Sequence, residues 1–276
     1  MSFESPTAPV CQTLVVTSQT DIMTLIASYI TKFGIIQASD SNLTDTKGNS
    51  GFGQKIFPIP HLNSSLAFSG CYSVDNKHLA DWMNDFITGS YFTCKTIEEF
   101  CNELKRSLES NMREDELKIE TIIHVAGYQN YDGKASCEHW HISNTGLIPE
   151  TGEYTKAVKE FHVVNDFNSI KNPGQKTVIQ YMDKNPIHYE WYINGFPPAR
   201  ISGVMIRVTL DEALKTIWNN ANWEFRAPET IFDYAHVVKR YFEFITNLFP
   251  MSNYRALYIG GDIQTHLIPT PQNLDK

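Results

Sequence analysis

Several features are scarce in this sequence, and each scarcity removes a class of function. No uninterrupted apolar run approaches the roughly 20 residues a helix needs to cross a bilayer, so no membrane partner is expected. Positive charge is neither abundant nor gathered. The 23 Lys and Arg residues face 31 Asp and Glu, the net charge is −8, and no Lys/Arg cluster is longer than a pair. Nucleic acid and anionic lipid both need concentrated positive charge, which excludes them as partners. The opening residues, MSFESPTAPVCQ, lack a basic region followed by an apolar core. No secretory signal is read there, and a cytoplasmic location is expected. The 5 cysteines, Cys11, Cys71, Cys94, Cys101 and Cys137, are odd in number and not closely paired, which fits reduced thiols and argues against a disulfide framework or structural zinc. No internal repeat or low-complexity tract is present, and no cofactor or metal is expected.

What is present suits a folded domain with a large core. Hydrophobic residues make up 42% and charged residues 20% of 276 positions, enough apolar surface to offset chain entropy without staples. Residues 1–23 read as a polar, leader-like segment and 24–276 as a single domain with an elaborated insertion at about 145–203. Thr24–Tyr29 and Gly34–Ser39 are short β-rich runs joined by a hairpin connection. KIFPI and SSLAFSG supply further extended pieces. Leu79, Trp82, Met83 and Phe86 then recur at one-face helical spacing until Gly89, and Thr96 with Glu99 forms a capping box ahead of an apolar stripe through Leu108. Two strands follow around the hairpin signal Asp132-Gly133. Helices are expected over Thr209–Trp223, with a Thr209/Glu212 capping box, and over Pro228–Phe249, and a last strand over LYIGGDIQTHLI. Blocks of strands alternating with pairs of helices predict antiparallel sheets covered by helical layers.

The stretch from Thr24 through GIIQASDS with Asp40, QKIFPI with Lys55, and AFSGCYSVD with Gly70 resembles the start of a proteasome β-subunit. That family belongs to the N-terminal nucleophile hydrolases. Asp40 stands 16 residues after Thr24, the family interval, and Lys55 matches its lysine once one loop residue is allowed for. YRALYIGGDIQTHLI resembles the junction that carries its double glycine, at Gly260-Gly261. The resemblance implies an α+β fold, a four-layer αββα sandwich of two mainly antiparallel sheets. It also implies peptide or other amide substrates and homo-oligomer formation.

The chemistry the resemblance implies is coherent. A threonine hydroxyl needs a base to take its proton during attack on a carbonyl. A free α-amine, with a pKa of about 7.7–8.0, serves near neutrality once the chain is cut before Thr24. Lys55 would favour alkoxide character on Thr24, Asp40 would anchor that ammonium, and the Gly70 N–H would stabilise an oxyanion. Self-cleaving members carry glycine before the threonine, where this chain has Met23. Their supporting aspartate and serine fall on Ala256 and Ile259. These departures favour the alternative, a catalytically inactive relative acting as an assembly or binding module.

Three weaker constellations carry a second reading beside the bland one. Cys137, His139 and His141 share one face of a strand, a ligand-like spacing, though a partly exposed sheet face is the commoner meaning. Tyr189, Trp191, Tyr192 and Phe196 line either a binding surface or a core. Asp233 and His236 lie at i, i+3 on the last expected helix, a spacing at which an acid and an imidazole can share a proton, with a surface pair as the plain reading.

Overall fold

The computed structural model describes residues 24–44, 50–89, 93–145, 157–185, 187–195, 197–218, 226–248 and 259–274. In chain order the elements begin with β1 (Leu25–Thr31), β2 (Gly34–Ser39), β3 (Asn42–Thr44), β4 (Ser50–Phe52), β5 (Ile56–Ile59) and β6 (Ser64–Ser69). Two short strands, β7 (Ser73–Val74) and β8 (Lys77–His78), lead into α1 (Leu79–Thr88) and α2 (Ile97–Asn111). Then come β9 (Ile122–Tyr131), β10 (Lys134–Ser143), β11 (His162–Asn168), α3 (Pro173–Lys184), β12 (Tyr189–Gly195), α4 (Pro197–Trp218), α5 (Ile231–Leu248) and β13 (Gln264–Pro269).

Two antiparallel sheets form the centre, one in the order β12-β1-β2-β13 and the other β11-β10-β9-β6-β5. Their side-chain alternation builds the layers. On β1 and β2, Leu25, Ala27, Tyr29, Ile36 and Ala38 point outward and pack on the stripe Ile231, Tyr234, Val238, Tyr241, Phe242 and Ile245 of α5. The second sheet turns Phe57, Leu66, Phe68, Ile123, Val125 and Ile142 outward against α1 and α2. The residues between them on each strand face the opposite sheet, with Ile30, Ile35, Ala126 and Cys137 meeting there. The architecture is therefore a four-layer αββα sandwich, with the antiparallel sheets and helical coverings expected from the element order and the layering that the resemblance implied.

Local signals placed most ends. Thr96 Oγ1 accepts from the Glu99 N–H at 3.0 Å, and the Glu99 carboxylate accepts from the Lys95 N–H at 2.7 Å, which fixes the start of α2. Asp132 and Gly133 have φ of 51° and 86°, the two left-handed residues of a tight hairpin turn between β9 and β10. The Thr209/Glu212 pair does not start a helix. The α4 segment begins at Pro197, with two prolines in its first turn, and runs through Thr209. Residues 157–195, where the sequence shows no sustained period, contribute β11, α3 and β12. These are integral pieces, since β12 pairs with β1 from Leu25↔Gly195 to Thr31↔Tyr189 and β11 pairs with β10. Of the last expected strand, Leu257 and Tyr258 lie outside the described residues, and pairing begins at Gln264.

Candidate functional site

Thr24 immediately precedes β1, with its side chain turned toward Lys55 of the second sheet. Asp40 follows the last residue of β2, and Lys55 precedes the first residue of β5. Because β1 and β2 are antiparallel, with Ile26 opposite Ser39, the hairpin returns Asp40 to the level of Leu25. The Asp40 N–H donates to the Leu25 carbonyl at 3.2 Å, and the Leu25 N–H donates to Asp40 Oδ1 at 3.0 Å. Lys55 arrives from the other sheet, where its carbonyl accepts from the Phe68 N–H at 2.9 Å. Its ammonium Nζ donates to Thr24 Oγ1 at 2.7 Å and to Asp40 Oδ1 at 3.0 Å.

These three side chains are enclosed, with exposures of 2% for Thr24, 0% for Asp40 and 1% for Lys55. Burial pushes the Asp40 carboxyl up and the Lys55 ammonium down, and the attraction between them works against both. Asp40 Oδ2 gains a further donor, the Gly260 N–H at 3.2 Å, so the double-glycine junction reaches the same carboxylate. The Gly260 carbonyl in turn accepts from the Ser41 and Asn42 N–H groups at 3.2 and 3.1 Å. Four chain segments, at Thr24–Leu25, Asp40–Asn42, Lys55 and Gly260, are thereby tied around one ion pair.

Two glycines shape the surroundings. Gly195, opposite Leu25, has φ +133°, and a Cβ there would stand 1.9 Å from the Thr24 carbonyl oxygen. Gly70 follows β6, two residues past the Phe68 that pairs with Lys55, and has φ +134°. A Cβ on it would meet the Glu120 carbonyl oxygen and Thr121 Cα, each at 2.6 Å. Thr24, Asp40 and Lys55 thus converge, while Gly70 sits at the adjoining strand end against Glu120 and Thr121. Met23 and Ala256 lie outside the described residues. Ile259 is buried in the apolar cluster beneath α5.

The other constellations resolve into packing and pairing. His139 Nδ1 and His141 Nδ1 lie 3.1 and 3.6 Å from Asp166 Oδ2 of β11, while Cys137 is fully buried in the apolar layer between the sheets. Among the described residues no group of three His, Cys, Asp or Glu side chains is arranged to hold a metal ion. Tyr192 stacks on His139 with centroids 4.0 Å apart, and Tyr189 meets Tyr29 at 5.6 Å, so these half-buried aromatics pack against the core from the sheet edge. Phe196 lies outside the described residues. Asp233 caps α5 instead of sharing a proton with His236: it accepts from the Glu229 and Thr230 N–H groups at 3.0 Å each, and its own N–H donates to Thr230 Oγ1.

A buried polar layer lies deeper between the sheets. Behind an apolar tier of Ile26, Ile56, Ala67 and Ile122, Ser28 Oγ meets His124 Nδ1 at 3.3 Å and Gln37 Nε2 donates to the His124 carbonyl at 3.3 Å. Ser65 donates to Gln37 Oε1 at 2.6 Å, and Asn194 Nδ2 lies 2.8 Å from His124 Nε2. The partners are up to 96 residues apart in the chain, and nothing in local pattern announces them.

No family model matches the chain, and no curated protein matches it. Solved structures with a likeness include an Anbu (Gly-1) mutant from Hyphomicrobium sp. strain MC1, at 13% identity and TM-score 0.43. Another is Anbu, described as an ancestral β-subunit, from Yersinia bercovieri, at 11% identity and TM-score 0.48. Each alignment covers 89% of this chain and 82% of the other. These findings correct the family resemblance read from the sequence. Both of these structures are named Anbu, at 13% and 11% identity, and the chain is not assigned to the proteasome β-subunits. The sandwich assignment stands on the sheet order and layers described above. No helix among the described residues is long and apolar enough to cross a membrane.

Proposed function

We propose that this protein is an amide hydrolase whose nucleophile is Thr24 Oγ1, unmasked by cleavage of the Met23–Thr24 peptide bond. The observation that carries the reading is the buried Lys55 ammonium, 2.7 Å from Thr24 Oγ1 and 3.0 Å from Asp40 Oδ1. A cation that contacts both a hydroxyl and a carboxylate favours alkoxide character on the hydroxyl, and the carboxylate keeps the cation in place. Burial pushes the Lys55 ammonium down, and the adjoining Asp40 carboxylate works against that shift.

The first amide in reach is the chain's own. Thr24 Oγ1 attacks the Met23 carbonyl carbon, the Lys55 ammonium stabilises the charge developing on Oγ1, and the hydroxyl proton ends on the Thr24 nitrogen, which leaves as an amine. Water then hydrolyses the resulting ester, returning the hydroxyl and leaving a carboxylate on Met23. From that point the freed α-amine is the base, and peptides or other amides are the substrates. Intact-mass measurement of the protein from its native cell tests this directly. Loss of residues 1–23, absent in a Thr24→Ala variant, supports the hydrolase. A functioning protein that retains those residues overturns it.

A second reading, a non-catalytic binding or assembly module, is favoured by one observation. Thr24 is 2% exposed, and an amide carbonyl cannot reach its hydroxyl without displacement of what covers it. An intact leader in the functioning protein, with unchanged function of Thr24→Ala, would establish that reading.

A further inference from the structure

Lys55 does not sit on a strand. It belongs to the short approach between β4 and β5, so the placement of its ammonium depends on what holds residues 53–55. β5 pairs with β6 on one side and is the edge strand of its sheet, while β13 is the edge strand of the other. Gln264, the first residue of β13, reaches across from one sheet to the other. Its Oε1 accepts from the Lys55 N–H at 2.9 Å, and its Nε2 donates to the Gly53 carbonyl at 2.6 Å.

The geometry is that of a strand pairing made by a side chain. In an extended segment the carbonyl of one residue and the N–H two residues later point to the same side, where a neighbouring strand would satisfy both. The Gln264 amide supplies that donor and acceptor together. The other ties on the approach are the Gly53 N–H to the Ser41 carbonyl at 3.0 Å, Gln54 Nε2 to the Ile56 carbonyl at 2.9 Å and the Phe68 N–H to the Lys55 carbonyl at 2.9 Å. Phe68 thus holds the Lys55 carbonyl from within its own sheet, and the Gln264 side chain holds the Lys55 N–H from the other sheet. The Gln264 backbone is in register with Ser39, the residue before Asp40. One side chain therefore couples the segment bearing the cation to the strand end bearing the anion.

We infer that Gln264 is a positioning residue that sets the Lys55 ammonium between Thr24 Oγ1 and Asp40 through paired hydrogen bonds to the Gly53 and Lys55 backbone. Resting on the hydrolase reading for its purpose, the inference concerns a geometry that can be measured without any activity. No other common side chain reproduces it. Leucine offers neither bond, asparagine is a methylene short, and a glutamate carboxylate keeps the acceptor but turns a negative oxygen to the Gly53 carbonyl. Protonated, that carboxyl again offers a donor and an acceptor.

The test uses the full chain with lysine side chains isotopically labelled, following the Lys55 ammonium by NMR titration and the Lys55 backbone N–H by hydrogen exchange. For Gln264→Leu, exchange at Lys55 should quicken at least ten-fold and the titration midpoint of Lys55 should move, while Ser65→Ala, which perturbs the deeper polar layer, leaves that midpoint in place. For Gln264→Glu, Lys55 exchange should be fast at neutral pH, once its base-catalysed pH dependence is removed, and recover on acidification through the introduced carboxyl's titration. If Gln264→Leu does not fold, the Gln264→Glu profile decides alone. An unchanged Lys55 midpoint and exchange rate in folded Gln264→Leu, or a pH-independent Gln264→Glu, overturns the inference. Failure of the wild-type chain to lose residues 1–23 would count against the hydrolase reading and leave these readouts as they are.

Discussion

Replacing Asp40 with asparagine keeps the shape of the site but strips the counter-charge from a lysine that is 1% exposed. Breaking a buried ion pair from one side costs about 3–5 kcal/mol, because the remaining charge is left in a medium that cannot solvate it. Lys55 has one escape, which is to shed its proton. From an ordinary lysine pKa of about 10.4, neutralisation at pH 7 costs about 4.6 kcal/mol, a figure of the same size reached independently. For a chain of this length each kcal/mol moves the midpoint of thermal unfolding by about 2–4 °C, so Asp40→Asn should melt about 6–20 °C below wild type. The deficit carries a signature. Because deprotonation becomes easier by about 1.4 kcal/mol per pH unit, the gap between variant and wild type should narrow as pH rises from 7 to 9. Adding Lys55→Met to the same chain removes the stranded charge and should return most of the lost stability, since no buried charge remains and the neutral amide that replaces the Asp40 carboxylate keeps an acceptor for the Leu25 N–H. Thermal unfolding by circular dichroism at stepped pH, on both single variants and the double, measures all three. A loss under about 1 kcal/mol that does not change with pH would refute the reasoning, because it is the size expected of a solvated surface pair.

Further outcomes follow from other parts of the structure. Burial holds His124 and His139 below the ordinary imidazole pKa, in His124 with help from the neighbouring His139, while Asp166 opposes the shift in both. The folded chain then binds fewer protons than the unfolded chain in mild acid, so this stabilisation is complete above about pH 6.5 and is lost as pH falls below it, at up to about 1.4 kcal/mol per unit for each histidine. Denaturant titrations of wild type and His139→Phe between pH 7 and 5 should show a shallower slope for the variant, and equal slopes would contradict the placement of His139. Asp166 is lowered, with its burial opposed by bonds from His139 and His141, so its contribution fades only below the ordinary carboxylate pKa of 3.8, outside that window. Gly195→Ala would drive a methyl group onto the Thr24 carbonyl at a backbone angle side chains avoid; a loss of about 2 kcal/mol or more is expected, and a neutral result in chemical denaturation would show that β12 does not approach β1 this closely. Thr96→Ala should cost about 1 kcal/mol through the lost cap of α2, measured in the same way.

What the sequence disclosed was governed by distance along the chain. The hairpin of β1 and β2 alternates over a few residues, and an antiparallel return necessarily brings Asp40 beside Leu25. The α2 cap and the Asp132-Gly133 turn are likewise local, each complete within four residues. Residues 157–195 hid their strands for a physical reason. β12 lies at a sheet edge, where Tyr189, Glu190, Trp191 and Tyr192 are all half-buried, so no clean alternation of apolar and polar residues marks it. The contributions of Gly260 and Gln264 were out of reach because their partners stand 220 and 209 residues away. The Ser28, Gln37, Ser65 and His124 layer also read as four unrelated strand residues until the two sheets faced each other. Such layers are satisfied by pairing across the sandwich, which composition and periodicity do not encode.

The central claim is that Thr24 Oγ1 is a nucleophile once its nitrogen is free. Treating the protein isolated from its native cell with a β-lactone, which acylates an activated hydroxyl, and mapping the adduct by peptide mass spectrometry measures this directly. The account predicts one acyl group, on a peptide that begins at Thr24, and none on Thr24→Ala. An adduct on another residue, or a chain that begins at Thr24 and stays unmodified, would contradict it.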